Sequence, residues 1–261
     1  MSNGLLHESF ENSFYSVELF STLGTNDEQE DVISCSLGDM CAVLVLCDGM
    51  GGMKGGRLAA QTAIRSIQMF TEDEDWTSNP KEFLKRAMER ADEEVFFLKD
   101  DAGKRLGCGC TLLIALVTGR KIYYGNVGDS RIYFYDGAEL RQLSQDHTYG
   151  ELLKHRLMTG KIDKEEYQKE TEDAAALTGY LGLGELKESF VCTKPLLLDR
   201  NQVLCLQSDG LYKLVSEEEM KEIICNHVKC LEQVGYELLH RAETNRRLYQ
   251  DNTSFILLRL K

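Results

Sequence analysis

A chain of 261 residues with 43% hydrophobic content and only two prolines has enough apolar material for a substantial core, and it reads as a single domain over 1–261 rather than as modules on a linker. A formal charge of -13 argues against nucleic acid as a partner, because phosphate backbones are gripped by clustered Lys and Arg. No run approaches the ~18 apolar residues of a membrane span, and the opening MSNGLLHESFENSF lacks the basic flank and apolar centre of a secretory leader, so no membrane partner is expected.

Nine cysteines could suggest disulfides or zinc. Cys41, Cys47, Cys192, Cys205 and Cys225 lie in apolar runs, where a thiol behaves as a small hydrophobe, and no CxxC spacing occurs. The expectation is free thiols in a reducing cytoplasm.

In chain order, 14–20 reads as a first strand, and the acidic segment GTNDEQEDVIS follows. Its default reading is a solvated loop. Glu30 and Asp31 stand out because Val32 and Ile33 come directly after them, which places both acids at the start of a strand. The stretch VLVLCDGMGGMKGG at 43–56 has the strongest pattern. Residues 43–47 are apolar without alternation, as in a strand buried on both faces. Asp48 ends that strand, and the glycines after it let backbone approach a ligand closely. A helix over 56–70 would point its N-terminus at the Asp48 loop, where it could hold an anion.

A second helix begins at Asn79, with Pro80 at its first position, Glu82 three beyond the cap, and Phe83, Ala87, Ala91 and Val95 along one face. From 110 to 144 the pattern is that of consecutive strands punctuated by Gly119, Gly128 and Gly137, an antiparallel meander. Asp129 and Arg131 fall at one of its turns, either capping a hairpin or lining a site. Asp136-Gly137 looks like a plain two-residue hairpin turn. Residues 147–187 become helical and charged, which suggests a flap over a site. Strands return at 190–198 and 202–210, helices at 217–229 and 231–247, and a last strand at 253–260. The fold class that results is α+β: an antiparallel β-sandwich flanked by helices, with a helical flap.

Asp209-Gly210 repeats the arrangement of Asp48-Gly49 at the end of an apolar run, and Asp251 precedes the final one. Three strand-terminal carboxylates from distant segments have a common explanation if they converge on one or two divalent ions.

The motifs DGMGG at 48–52, GNVGDSR at 125–131, SQDH at 144–147, SDGLY at 208–212 and DN at 251–252 together resemble the metal-dependent Ser/Thr protein phosphatases of type 2C, bacterial branch, across nearly the whole chain. The resemblance implies a two-ion Mn²⁺ or Mg²⁺ centre at one end of the sandwich. Asp48 would bridge both ions, Asp209 and Asp251 would complete the first, and the Gly49 carbonyl would serve the second with Glu30 or Asp31 nearby. A water between the ions would attack phosphorus in phosphoserine or phosphothreonine. The implied partners are a phosphoprotein substrate and a cognate Ser/Thr kinase.

Three positions depart from the family pattern. Asn26 stands where the family has a phosphate-gripping Arg, Met53 replaces a His, and Lys213 replaces an Asp that would join Asp129 in holding a third ion, so a third ion is not expected or has its space taken by the Lys213 ammonium. Arg131, Lys213 or a flap residue would then have to grip the phosphate. His147 and His155 are the nearest candidates for a proton donor, against a plain role as loop or flap histidines. The other reading of these departures is a catalytically weak pseudophosphatase that binds metal or phosphoprotein.

Overall fold

The computed structural model describes residues 4–51, 55–246 and 248–261. Met53 and Gly52 therefore lie outside the described residues. The strands are β1 (Leu6–Glu11), β2 (Tyr15–Thr22), β3 (Val32–Leu37), β4 (Cys41–Cys47), β5 (Gly49–Met50), β6 (Gly109–Cys110), β7 (Leu112–Thr118), β8 (Lys121–Val127), β9 (Arg131–Tyr135), β10 (Leu140–Gln142), β11 (Phe190–Val191), β12 (Leu196–Leu197), β13 (Val203–Gln207) and β14 (Thr253–Leu260). The helices are α1 (Gly55–Asp73), α2 (Pro80–Phe96), α3 (Tyr149–Met158), α4 (Lys164–Glu170), α5 (Asp209–Tyr212), α6 (Glu217–His227) and α7 (Leu231–Asn245).

Two antiparallel sheets pack face to face. One has the order β1-β2-β14-β13-β9-β10; the other runs β11-β8-β7-β4-β3, with β12 also pairing β8. Strict side-chain alternation then sorts each central strand between two cores. Ala42, Leu44 and Leu46 of β4 face the space between the sheets, where they meet Leu113, Leu204, Leu206, Ile256 and Leu258. Val43, Val45 and Cys47 face the other way, onto Ile64 and Ile67 of α1 and Leu84 and Met88 of α2. Because both faces are covered, the run is apolar throughout, as its sequence implied. On the opposite flank, Phe255, Leu257 and Cys205 pack under α6 and α7 through Met220, Ile224, Val234 and Leu238. The result is four layers, helix-sheet-sheet-helix, as expected for the α+β class.

Several local expectations are corrected. The strands of 110–144 do not form one meander. β8 belongs to one sheet and β9 to the other, so GNVGDSR is the corner at which the chain changes sheets and not a hairpin turn. The connection at Asp136 spans four residues, since Tyr135 pairs with Leu140. Its Oδ1 accepts the amides of Ala138 and Glu139. β1 was not apparent in the sequence, because LHESFE is a mostly exposed edge strand with little to bury. All nine cysteines are free thiols, but Cys225 is exposed on α6 rather than buried. Among the described residues no helix is long and apolar enough to cross a membrane.

Candidate functional site

At one rim of the sandwich, strands from both sheets begin or end together. β4 stops at Cys47 and β13 at Gln207, while β3 starts at Val32, β9 at Arg131 and β14 at Thr253. Each junction brings an acid: Asp48, Asp209, the pair Glu30 and Asp31, Asp129, and Asp251. The pairings make this convergence obligatory, because Val32 lies opposite Cys47, and Gln207 lies between Arg131 and Phe255.

A cavity of about 650 Å³ opens at that rim. Of the residues singled out from the sequence, Glu30, Asp48, Gly49, Asp129, Arg131, Asp209 and Asp251 line it, as do Asn26 and Lys213. Asp31 does not reach the wall. It lies behind it, 5% exposed, and its Oδ2 accepts a hydrogen bond from Ser208 Oγ at 2.8 Å. Thr148, Gly150, Glu151, Lys154 and Tyr167 also line the cavity, so 147–187 does border the site.

Asp48 is fixed through its backbone. Its amide donates to Thr111 Oγ1 at 3.0 Å, and the Thr111 amide donates back to the Asp48 carbonyl at 2.8 Å. Thr111 Oγ1 also lies 2.8 Å from Ser130 Oγ, which ties the Asp48 loop to the sheet-changing corner that carries Asp129. Two glycines make room for α1: a Cβ on Gly49 would stand 2.3 Å from the Gly56 carbonyl oxygen, and one on Gly56 would stand 2.3 Å from Glu30 Oε1. The anion expected at the α1 N-terminus is thus Glu30 itself, whose carboxylate faces the Gly56 and Arg57 amides.

Arg131 lines the cavity but is engaged. Its Nη2 donates to Asp146 Oδ2 at 2.7 Å, its Nη1 to Tyr133 Oη at 3.2 Å, and its guanidinium lies 3.9 Å from the centre of the Tyr212 ring. Tyr212 Oη in turn donates to Asp129 Oδ2 at 3.4 Å. His147 is structural. Its Nδ1 accepts the Gly128 amide at 3.1 Å, its own amide and carbonyl pair with Gly128 and Thr178, and burial pushes its pKa down. It fastens the root of the 147–187 segment to the corner. His155 is exposed on α3.

The electrostatics are those of carboxylates with too few counter-charges. Burial, followed by Asp31, Asp209, Asp129 and Asp251, pushes Asp48 well above the ordinary carboxylate range. Burial pushes Asp31 up to about 7 against the hydrogen bonds of Ser208 and Ser254. Burial and then Asp209 push Asp129 up to about 6, and Lys213 opposes this. Asp209 is raised by burial, with Lys213 again opposing, and its Oδ1 is buried without a hydrogen-bond partner.

Among the described residues, no three His, Cys, Asp or Glu side chains are already drawn around one point as chelation would require. The donor set nevertheless suits a hard cation, since the acids on the wall offer oxygen and neither His nor Cys lines it. Like charges crowding Asp48, and an orphaned oxygen on Asp209, are what a divalent ion would relieve. The sequence alone did not indicate Thr111, Ser130 or Ser208, because small hydroxyl residues carry no pattern of their own.

A family model described as protein phosphatase 2C matches residues 21–245. The serine/threonine phosphatase stp of Listeria monocytogenes is 29% identical over 185 residues, covering 70% of this chain and 71% of that protein. The structure of the Streptococcus agalactiae serine/threonine phosphatase superposes with a TM-score of 0.79 at 22% identity, covering 95% of this chain and all of the other. The catalytic domain of the phosphatase PstP, solved in complex with two manganese ions, gives a TM-score of 0.74 at 23% identity, over 95% of this chain and 98% of that one.

Proposed function

The chain belongs to the protein phosphatase 2C family, and we propose that, as a protein phosphatase, it hydrolyses phosphoserine and phosphothreonine in proteins with two divalent ions, Mn²⁺ or Mg²⁺. The observation that carries this reading is the arrival of Asp48, Asp209 and Asp251 at one cavity from three separate strand ends. Those three side chains would hold the ions, with the Gly49 carbonyl and with Glu30 or, behind the wall, Asp31. When bound, the ions would lower the pKa of a water and offset charge on the phosphoryl oxygens.

The chain's own residues set the stage for that chemistry. The Thr111 clamp holds the Asp48 backbone in one position at the cavity, so that an arriving ion has only side chains to draw in. Burial keeps the carboxylates in a poorly solvated wall, where they attract cations strongly and repel a bare phosphate dianion. Phosphate would therefore be admitted only with the ions in place. The 147–187 segment borders the cavity with Lys154 and Tyr167, which would contact the polypeptide around the phosphorylated residue. Neither histidine is assigned as a proton donor. Residues 1–261 are read as one domain, with a Ser/Thr kinase supplying its substrate, and the free thiols fit a reducing cytoplasm.

The test is phosphate release from an aryl phosphate and a phosphothreonine peptide, with Mn²⁺, with Mg²⁺ and with chelator, alongside Asp209→Asn. Metal-dependent release that disappears in the variant is the expected result. Release that survives Asp209→Asn would overturn the ligand assignment. Phosphopeptide binding without release under any metal would replace the enzyme with a binding module.

A further inference from the structure

The rim carries a cation of its own. Lys213 follows the single turn of α5, and its amide donates to the Asp209 carbonyl at 3.0 Å. One turn along from Asp209, its Nζ folds back to pair with Asp209 Oδ2. The Asp209 side chain is 13% exposed and that of Lys213 is 56% exposed, so the carboxylate is sunk in the wall while the ammonium reaches it along a stem in contact with solvent. Its charge is also felt by Asp129 and Asp251, which come from two other segments of the rim.

No other basic side chain on the cavity wall does this among the described residues. Arg131 is committed to Asp146, and Lys154, on α3, is paired with Glu151. The acids of the Asp129 and Asp209 side thus have a counter-charge that is covalently part of the chain. It cannot be chelated or diluted away, and an ammonium offers no lone pair, so it cannot itself help hold a metal.

Resting on the two-ion reading above, we propose that Lys213 is a tethered counter-ion: its ammonium neutralises the Asp129 and Asp209 side of the centre in place of a further divalent ion, so the protein holds two ions and no third. The arrangement has a cost for the ions that do bind. Lys213 occupies Asp209 Oδ2 and repels a dication arriving at Asp209, so its removal should tighten metal binding while loosening the metal-free fold.

The experiment is calorimetric titration of Mn²⁺ into the full chain at fixed pH, with melting temperatures in chelator and in excess Mn²⁺, for the native protein, Lys213→Met, Lys213→Arg and Lys213→Asp. The native chain is expected to bind two ions and Lys213→Asp three. Lys213→Met should melt roughly 2–4 °C lower in chelator, as a loss near 1 kcal/mol does for a domain of this size, and yet bind Mn²⁺ several-fold more tightly. Lys213→Arg should keep both native values. A lysine that merely forms a surface ion pair would lower the melting temperature equally with and without Mn²⁺ and leave the affinity unchanged; that result, or three ions in the native chain, overturns the proposal. Native protein that neither binds Mn²⁺ nor releases phosphate would instead remove the two-ion reading on which it rests.

Discussion

Asn26 donates its side-chain amide to Asp251 Oδ1 at 2.7 Å, joining two cavity residues that are 225 positions apart. The same oxygen accepts the Asn252 amide at 2.9 Å, so the carboxylate is held from two sides by neutral donors. Asn26 therefore orients a candidate ligand but brings no charge to an incoming phosphate. Asn26→Arg should supply a charge-assisted fork worth about 1.5–3 kcal/mol. The Michaelis constant for an aryl phosphate should fall about tenfold, the change that ~1.4 kcal/mol produces. Steady-state kinetics with Mn²⁺ will read it, and an unchanged constant would mean that another residue already grips the phosphate.

Asp48→Asn should separate stability from activity. The native carboxylate stands half-buried among four like charges, and the amide keeps its shape without the charge. Phosphate release should be lost, while the melting temperature in chelator rises by roughly 2–4 °C per kcal/mol of repulsion relieved. A variant that melts lower in chelator would show that Asp48 is held by contacts more than it is strained by its neighbours.

The metal-free protein should lose stability as pH rises. Asp31 is pushed up to about 7 from 3.8, so the fold prefers its protonated form; that contribution is complete below pH 3.8 and is lost as pH rises through 7. Asp129, pushed up to about 6, acts in the same direction. His147 is pushed down from 6.5 and has the opposite slope, but only below that value. From pH 6.5 to about 7, where the folded state still holds part of the Asp31 proton and the unfolded state does not, unfolding in chelator should therefore show a negative slope of at most about 1.4 kcal/mol per pH unit for one group, fading above that range as Asp31 ionises in both states. Saturating Mn²⁺ should flatten or reverse it, since ions favour ionised ligands. A flat profile in chelator would count against the raised Asp31.

Asn252 is 3% exposed and serves three backbone groups: its Oδ1 accepts the Glu30 amide at 2.8 Å, and its Nδ2 donates to the Leu23 and Glu28 carbonyls at 2.9 and 3.1 Å. Asn252→Ala leaves all three without that partner. A loss of about 2 kcal/mol is expected, read as a lower denaturant midpoint at unchanged slope. Mn²⁺ affinity should fall with it, because the same bonds hold Glu30 on the cavity wall. An unchanged midpoint would mean that the 23–30 segment is held by other contacts.

What the sequence disclosed depended on whether the physical cause was local. The apolar run of β4 and the acid at its end were legible because burial on both faces leaves no polar alternation. Asp209 was legible for the same reason. The sheet change at GNVGDSR was not: alternation marks 121–128 and 130–137 as strands, but it says nothing about which sheet each joins. Asp31 and Glu30 were indistinguishable as adjacent acids before Val32, and only the register of β3 against β4 sends one to the cavity and the other behind it. Arg131 looked available for an anion because its partner Asp146 comes from a segment fifteen residues on. Lys213 was marked as a departure from the family pattern, but its pairing with Asp209 follows from the turn of helix between them, which the sequence did not disclose.

β14 lies between β2 and β13 at the centre of its sheet, paired along its length with residues 15–22. The strand at the middle of that sheet meets its β2 partner only after residues 23–252 have intervened along the chain. Contacts so far apart in sequence are slow to form, because their loop-closure entropy is met before any pairing is gained. A nascent chain carried only as far as residue 250 has neither Asp251 nor the strand that joins β2 to β13, so the acids of the rim stay dispersed. Until β14 has paired on both sides, the acids of the rim therefore have no common place at which to hold an ion.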